Sequence, residues 1–299
     1  NTTGYDQTAA GYRALATNTT GFRNTAFGTE SLLLNTTGFD NAAFGKSAMQ
    51  DNTVGEANTG LGNYALANNT TSDFSTAVGY QALFTNTTGA NNVAVGKDCL
   101  LLNTTASNNT AMGAFSLKAN TTGTANVAIG NDCMDSNTTG SKNTAVGTDA
   151  LQANTTADFN TAIGNDALGQ NTTGENNTAV GKNALESNTT GTLNTAVGKD
   201  ALGSNTTGTN TAVGREALRD NTTGTNNVSM GVSTLSSNTT ANSNTGIGNS
   251  ALKDNTTGAN NTAVGKDSLT NTTTGSNNTV VGAEALFTNI TGANNTVVG

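Results

Sequence analysis

The hydrophobic and polar positions of this chain repeat with a period of 17 residues. In the copy NTTGENNTAVGKNALES, which begins at Asn171, the apolar residues occupy positions 9, 10, 14 and 15. Seventeen copies are complete, an eighteenth stops at Gly299, and only the copy at 205–220 is one residue short. Because a fixed period of this length predicts a repeat architecture, we treat residues 1–299 as a single repeat array and expect it to be a piece of a longer fibre.

Positions 6 to 10 of each unit predict a strand. Position 10 is mostly β-branched, as in Ile163 and Val180, which suits a pleated strand. Position 11 is glycine in all eighteen copies and predicts a corner with positive φ. Proline is absent, as expected where backbone groups pair between coils, and the unit is too short for two packed helices. We therefore predict an all-β fold, a parallel β-solenoid (β-roll) with one coil per 17-residue repeat.

The two apolar positions of the strand must face opposite ways, because successive strand residues alternate. We expect position 10 to point into the coil, together with the small residue at position 14 and the leucine at position 15. The alanine at position 9 then points outward, where it is either simply tolerated or makes a close contact with a second chain. The predicted chain-contact residues are Ala128, Ala145, Ala162, Ala179 and Ala196.

Asparagine recurs at positions 1 and 7. Stacked identical amides hydrogen-bond from coil to coil, which is one interpretation of both columns. The NTT sequence at position 1 also matches the N-glycosylation motif, although glycans about 4.8 Å apart would be crowded. Both interpretations stay open. The candidate glycosylation sites are Asn1, Asn18, Asn35, Asn69, Asn86, Asn103, Asn120, Asn137, Asn154, Asn171, Asn188, Asn205, Asn221, Asn238, Asn255, Asn271 and Asn289.

Composition narrows the class of protein. Hydrophobic residues make up 33% of the chain and charged residues 11%, with a net charge of −8. Disordered chains usually combine low hydrophobicity with high charge, so this periodic sequence is better explained by order through stacking. The scattered basic residues argue against nucleic-acid binding. No apolar run reaches the roughly 20 residues that span a bilayer.

The sequence contains no catalytic, cofactor-binding or metal-binding constellation. Histidine is absent, which removes histidine-based triads and histidine metal sites. Cys99 and Cys133 both occupy position 14, two units apart, which predicts a separation of about 9–10 Å and therefore buried thiols without a disulfide. We predict that the chain is not an enzyme and needs no cofactor.

Aromatic residues are concentrated near the start of the chain. Tyr5, Phe22 and Phe39 share position 5 of three consecutive units and predict an outer aromatic column. Such a column would bind a sugar or a partner chain, or it would serve only local packing.

The strand and corner motif resembles the head repeats of YadA-like trimeric autotransporter adhesins. Their N-S-x-A-I-G-x-x-[SA] core is similar to residues 143–150, NTAVGTDA, and similar repeats occur in phage tail-fibre shafts. The resemblance implies a left-handed parallel β-roll with three chains side by side on a cell or virion surface. The family's unit is shorter, and the added residues here lie around the NTT corner.

These observations favour a structural role. We expect the shaft or head of an extracellular fibre, a spacer or adhesive surface formed by like chains, with covalent glycans and a host surface or carbohydrate as further partners. The alternative is an ice- or carbohydrate-binding solenoid, although adjacent threonines of the NTT segment face opposite ways.

Overall fold

The computed structural model describes residues 2–299, which form strands and turns and contain no helix. Each repeat contributes one short strand, and within each compact unit every strand pairs in parallel with the strand of the next repeat. The predicted all-β parallel β-solenoid with one coil per repeat is confirmed. Contacts divide the chain into a first unit, up to Thr148 with Ala153–Thr156, and a second unit, Asp149–Gln152 with Ala157–Gly299.

The first unit contains nine strands. In each pair the same repeat positions lie opposite each other, as for Thr25 and Ala42 or Phe27 and Phe44. The strands are β1 (Thr8–Ala10), β2 (Thr25–Phe27), β3 (Ala42–Phe44), β4 (Thr59–Leu61), β5 (Thr76–Val78), β6 (Val93–Val95), β7 (Thr110–Met112), β8 (Val127–Ile129) and β9 (Thr144–Val146).

The second unit has the same architecture. Its strands are β10 (Thr161–Ile163), β11 (Thr178–Val180), β12 (Thr195–Val197), β13 (Asn210–Val213), β14 (Asn227–Met230), β15 (Thr245–Ile247), β16 (Thr262–Val264), β17 (Thr279–Val281) and β18 (Thr296–Val298). The short repeat at 205–220 does not disturb the register, because Thr195 pairs with Thr211 and Val197 with Val213. The one-residue deletion therefore lies outside the strand.

The interior of each coil is narrow and partly polar. Positions 1, 4, 7, 9, 14 and 15 are buried in nearly every coil, as Asn188, Asn194, Ala196, Ala201 and Leu202 illustrate. The leucine at position 15 is the largest of these side chains, and it has no exposed surface in most coils. The prediction that positions 14 and 15 fill the core is confirmed.

The predicted direction of the strand side chains is wrong. Position 9 points inward: Ala128, Ala145, Ala162, Ala179 and Ala196 have no exposed surface. Position 10 points outward, and Ile163 is 40% exposed. The alternation itself is as expected, but these alanines have no surface to offer to a second chain. Position 9 is alanine in most coils, and in one coil a Cβ added at Gly60 would lie 2.9 Å from the Met49 Cγ atom, although the larger Val280 is also fully buried at this position.

The corners use left-handed backbone far more often than the sequence suggests. The glycine at position 11 has φ between +131° and +145°, so the predicted corner is confirmed. Positions 6, 13 and 15 also have positive φ although most are not glycine, as in Asn183 (+56°) and Leu185 (+53°). Such conformations are uncommon outside glycine and asparagine, and here the coil-to-coil hydrogen bonds hold them in place.

Candidate functional site

The most regular surface feature is the outer face of the strands, formed by positions 8 and 10, which are half-buried or exposed. We call it the Thr/Val face. In the second unit its columns are Thr161, Thr178, Thr195, Thr211, Val228, Thr245, Thr262, Thr279 and Thr296 beside Ile163, Val180, Val197, Val213, Met230, Ile247, Val264, Val281 and Val298.

The first unit has a bulkier version of this face. Its position 10 column includes Phe27, Phe44, Leu61 and Met112, each between 38% and 47% exposed. The rings of Phe27 and Phe44 stack with their centroids 5.3 Å apart. No charged residue occupies position 8 or 10 in any copy, whereas charges are common at positions 12 and 13. The Thr/Val face is therefore an uncharged, partly apolar strip, which sequence reasoning missed because it assigned position 10 to the core.

The asparagines at position 1 form a buried amide column in each unit. The Asn188 Nδ2 atom donates to Asn171 Oδ1 at 2.8 Å and to the Gly191 carbonyl at 3.0 Å. The same pair of bonds links Asn35 to Asn18 and Gly38 in the first unit. Each amide thus closes its own corner and bonds to the neighbouring coil, as the amide-ladder interpretation predicted.

This geometry disfavours N-glycans on the buried asparagines of the folded coil, because the side-chain amide is buried and its Nδ2 atom already donates hydrogen bonds, two of them at Asn35 and Asn188. The candidate glycosylation sites whose side chains are buried in this way are Asn18, Asn35, Asn69, Asn86, Asn103, Asn120, Asn137, Asn154, Asn171, Asn188, Asn205, Asn221, Asn238 and Asn255. Asn271 and Asn289 are half-buried, and Asn1 lies outside the described residues. The predicted glycan coat therefore finds no support along most of the column.

The position 7 column uses its amides differently. The Asn194 backbone N–H donates to Asn177 Oδ1 at 3.0 Å, and the Asn177 Nδ2 atom donates to the Gly191 carbonyl at 2.8 Å. Asn177 is buried, so its side chain satisfies groups in the next coil that water does not reach. The two asparagine columns are structural parts of the coil wall.

The position 1 column is interrupted at Thr272. No asparagine Nδ2 stands above Asn255, and the buried Asn255 Oδ1 atom has no hydrogen-bond partner. The Thr272 hydroxyl instead donates to the Asn289 carbonyl at 2.6 Å. The orphaned oxygen is explained by the break in the ladder, and it is too isolated to form a binding site.

The aromatic column at position 5 is confirmed. Tyr5 stacks on Phe22 with centroids 5.1 Å apart, and Phe22 stacks on Phe39 at 4.7 Å. The Arg23 guanidinium lies 4.7 Å from the centre of the Phe22 ring and forms a bidentate ion pair with Asp40 at 2.6 Å. Both faces of the Phe22 ring are therefore covered, although Tyr5 at the end of the column is 56% exposed, and the stacking favours the local-packing interpretation.

Titratable groups do not converge on a reaction centre. Within residues 2–299 no group of three or more His, Cys, Asp and Glu side chains is placed to hold a metal ion. Cys99 and Cys133 are buried thiols, and no disulfide joins them. Burial raises the pKa of the Cys99 thiol to about 12, so it is a poor nucleophile. The hydrogen bond from Arg23 lowers the pKa of the Asp40 carboxyl, and burial raises the pKa of Asp135.

Comparison of the sequence with known proteins identified no relative of this chain. No protein-family model matches the chain, and a search of curated proteins returns no significant match. The resemblance to YadA-like head repeats therefore rests on the repeat motif alone. Across residues 2–299 there is no helix that could cross a bilayer.

Proposed function

We propose that this chain is a structural segment, shaft or head, of an extracellular fibre on a cell or virion surface, in which copies of the chain associate side by side through the Thr/Val face. The observation that carries the proposal is the ladder of positions 8 and 10 in each unit, which is uncharged in every copy and partly exposed to solvent. The surface location rests on the resemblance of the repeat motif.

A second copy of the chain is the partner that fits this face best. Its ladder has the same coil spacing of about 4.8 Å, so every coil of one copy meets an equivalent coil of the other. Interface centres are typically poor in charge, as this face is. Two copies that each carry a net charge of −8 repel each other. Because positions 8 and 10 carry no charged residue, contact through this face keeps like charges out of the interface itself.

The area of the face is adequate for a specific interface. Each strand presents about 10 Å of length and each coil adds about 4.8 Å, which gives about 50 Å² per coil. A standard interface buries about 800 Å² on each partner, and it would therefore use about 16 coils. Each unit supplies nine strands and therefore about 450 Å² of this face, so an interface of standard size uses the faces of both units.

Sedimentation velocity tests the proposal. The 29.8 kDa chain should sediment as a multimer at micromolar concentration, with a trimer as the form that the resemblance implies. The double variant Val180→Lys, Val197→Lys places two charges in the contact and should release monomers. The matched control Thr173→Lys, Thr190→Lys changes exposed residues of the same two coils away from the face and should stay multimeric. A wild-type chain that is monomeric throughout would overturn the proposal.

Ice binding is a second candidate, because threonine and a β-branched residue share one exposed face in most coils. The Thr178 and Val180 pair shows this arrangement, which the NTT segment cannot offer. Thermal hysteresis of a supercooled solution measures it directly, and Thr178→Lys, Thr195→Lys should abolish it. A multimer that buries the face would leave no free ladder for ice. A carbohydrate-binding role is less favoured, because the Phe22 ring is covered on both faces by its stacked neighbours.

A further inference from the structure

Asparagine also recurs at position 6 of the repeat, next to the buried position 7 column, and at position 6 it is exposed. In each case φ lies between +58° and +63°, and the backbone N–H donates to the position 5 carbonyl of the preceding coil, as Asn108 does to Ala90 at 3.0 Å. Within the described residues these side-chain amides make no hydrogen bond. The exposed position 6 asparagines are Asn91, Asn108, Asn176, Asn226, Asn260, Asn277 and Asn294.

Five of these asparagines begin the N-glycosylation motif, because position 7 is asparagine and position 8 is threonine. In the other two, Asn91 and Asn226, position 8 is Val93 or Val228 and the motif is incomplete. The motif asparagines at position 1 are buried or half-buried wherever the structure describes them. The complete and exposed motifs begin at Asn108, Asn176, Asn260, Asn277 and Asn294.

The repeat that begins at Asn171 contains one motif of each kind. The Asn171 Nδ2 atom donates to the Gly174 carbonyl at 3.0 Å inside the corner. Five residues later, Asn176 is exposed and Thr178 lies half-buried on the outer face of β11, with the buried Asn177 between them. Both side chains that define the second motif therefore lie on the outside of the coil, and its amide nitrogen is accessible.

The surroundings of Asn176 also favour a bulky polar group. The Asn176 N–H donates to the Asp158 carbonyl at 3.3 Å, and the Leu193 N–H donates to the Glu175 carbonyl at 3.1 Å, so Phe159, Asn176 and Leu193 follow one another in successive coils. Phe159 is 50% exposed and Leu193 is 64% exposed. A glycan is bulky and solubilising, and one attached at Asn176 would shield this apolar pair from water and from non-specific contacts.

The spacing of the position 6 motifs differs from that of the crowded position 1 column. Asn108 is the one position 6 motif in the described part of the first unit, and Asn176 lies five coils, about 24 Å, from Asn260. Each of these two sites has room for a glycan. Asn260, Asn277 and Asn294 lie in consecutive coils about 4.8 Å apart, so we expect glycans on at most two of the three, in alternate coils.

We propose that the exposed asparagines of position 6, with Asn108 and Asn176 as the principal sites, carry N-linked glycans, while the position 1 asparagines stay unmodified inside the coil. The inference rests on the proposed extracellular location, because this motif is an acceptor in secreted proteins. It does not depend on the association of copies.

The glycans would border the Thr/Val face. Leu193 and Asn226, which flank the gap in the position 6 column, line one surface cleft together with Thr211 and Val228 of that face. Interfaces are usually polar at the rim and poor in charge at the centre. Glycans at position 6 would therefore stand at the rim of the proposed contact and leave positions 8 and 10 available.

The modification is a group transfer from a glycosyl diphosphate donor, catalysed by a glycosyltransferase of the export pathway. A bond forms between the asparagine Nδ2 atom and the anomeric carbon of the sugar. The bond from that carbon to the diphosphate oxygen breaks, the diphosphate leaves with the electron pair, and the amide releases one proton. A glycan at Asn188 would disrupt the Nδ2 bonds to Asn171 and Gly191, so chains modified there should be missing from the folded protein.

Site mapping on the secreted protein tests the inference. The full chain is exported with a cleavable signal peptide from a eukaryotic host that N-glycosylates proteins, and the folded fraction is identified by its β-sheet circular dichroism signal. A peptide N-glycosidase in heavy-oxygen water converts each occupied asparagine into labelled aspartate, which mass spectrometry locates. We expect label at Asn108 and Asn176, partial label at 260–294, and an intact mass above 29.8 kDa before treatment.

Two matched variants exchange residues that position 8 already carries, so both should fold. Thr178→Val breaks the motif and leaves Asn176 in place, and it should abolish the label there. Val228→Thr completes the motif at the exposed Asn226 and should add one glycan.

Unlabelled Asn108 and Asn176 in the folded, secreted protein would overturn the inference, as would label on the position 1 column in their place. If Val228→Thr leaves Asn226 unmodified, exposure at position 6 is not what selects the sites and the inference fails. A wild-type chain that sediments as a monomer would overturn the proposed association instead, and it would leave the assignment of the glycosylation sites unchanged.

Discussion

Glycine at position 11 is the residue on which the corner of every coil depends. Gly181 has φ +131°, and a Cβ atom at this residue would lie 2.6 Å from the Gly198 carbonyl oxygen. Both the backbone conformation and the close approach of the next coil exclude a side chain. Since the neighbouring atom belongs to the backbone, it cannot move aside without breaking the ladder.

We therefore expect Gly181→Ala to lower the free energy of unfolding by at least about 1–3 kcal/mol, measured by chemical denaturation followed by circular dichroism. Gly203→Ala is the matched control. Its new Cβ atom would lie 3.4 Å or more from its neighbours, and its φ is not positive. This change should be neutral or stabilising by about 0.4–1 kcal/mol. Equal losses for the two variants would contradict the assigned role of position 11.

At the scale of structural elements, the asparagine columns connect one coil to the next. The position 1 amide ladder runs through Asn221, Asn238 and Asn255 with Nδ2 to Oδ1 distances of 2.8 and 3.0 Å, and it stops at Thr272. Because the Asn255 Oδ1 atom is buried and unpaired there, the structure loses the stabilisation that each other step of the ladder provides.

Thr272→Asn should repair the ladder by donating to Asn255 Oδ1. We expect it to raise the free energy of unfolding by about 1–2 kcal/mol, read out as a higher midpoint of thermal unfolding. The reverse change, Asn188→Thr, creates the same break within an intact ladder and should be destabilising by a similar amount. If Thr272→Asn destabilises the chain while Asn188→Thr has no effect, the columns do not contribute as described.

At the scale of the whole molecule, each of the two units is a series of nearly equivalent coils, and each coil within a unit contacts its neighbours. The stability of such a protein is approximately a sum over repeats and their interfaces. The columns of Asn, Leu and Gly continue unchanged wherever a whole unit is removed or added, because their spacing is set by the repeat. The fold should therefore tolerate a change in the number of whole coils. It should not tolerate the loss of part of a coil, which would move the residues that follow out of their positions in the repeat.

Deletion of residues 171–187 removes one whole coil and should leave the β-sheet circular dichroism signal and the cooperative thermal transition largely intact, since β10 then pairs with β12. Deletion of residues 171–178 removes about half a coil and should cause local unfolding, because the remaining segment cannot close a turn in register. Limited proteolysis would show new cleavage near the junction in the second variant only. Similar cleavage in both would contradict the one-coil-per-repeat description.

The sequence alone determined the period, the parallel stacking, the glycine corner and the leucine of the core. Each follows from residues such as Gly181, Leu185 and Asn188 that recur at one position because only one chemistry fits there. The buried amide ladder was one of two interpretations of the same NTT motif. Sequence could not choose between them, because a glycosylation motif and a buried ladder need the same asparagine.

Only the tertiary structure decided which strand face is the outside. The alternation of Ala179 and Val180 permits either orientation, and hydrophobicity favours burying the valine. Leu185, Asn171 and Asn177 already occupy the interior of this coil, and the side chain buried beside them at position 9 is a methyl group in most coils, with Val280 as a larger exception. The valine is thereby displaced to the surface, and the Thr/Val face exists because the width of the coil, which no single repeat encodes locally, limits what the core can hold.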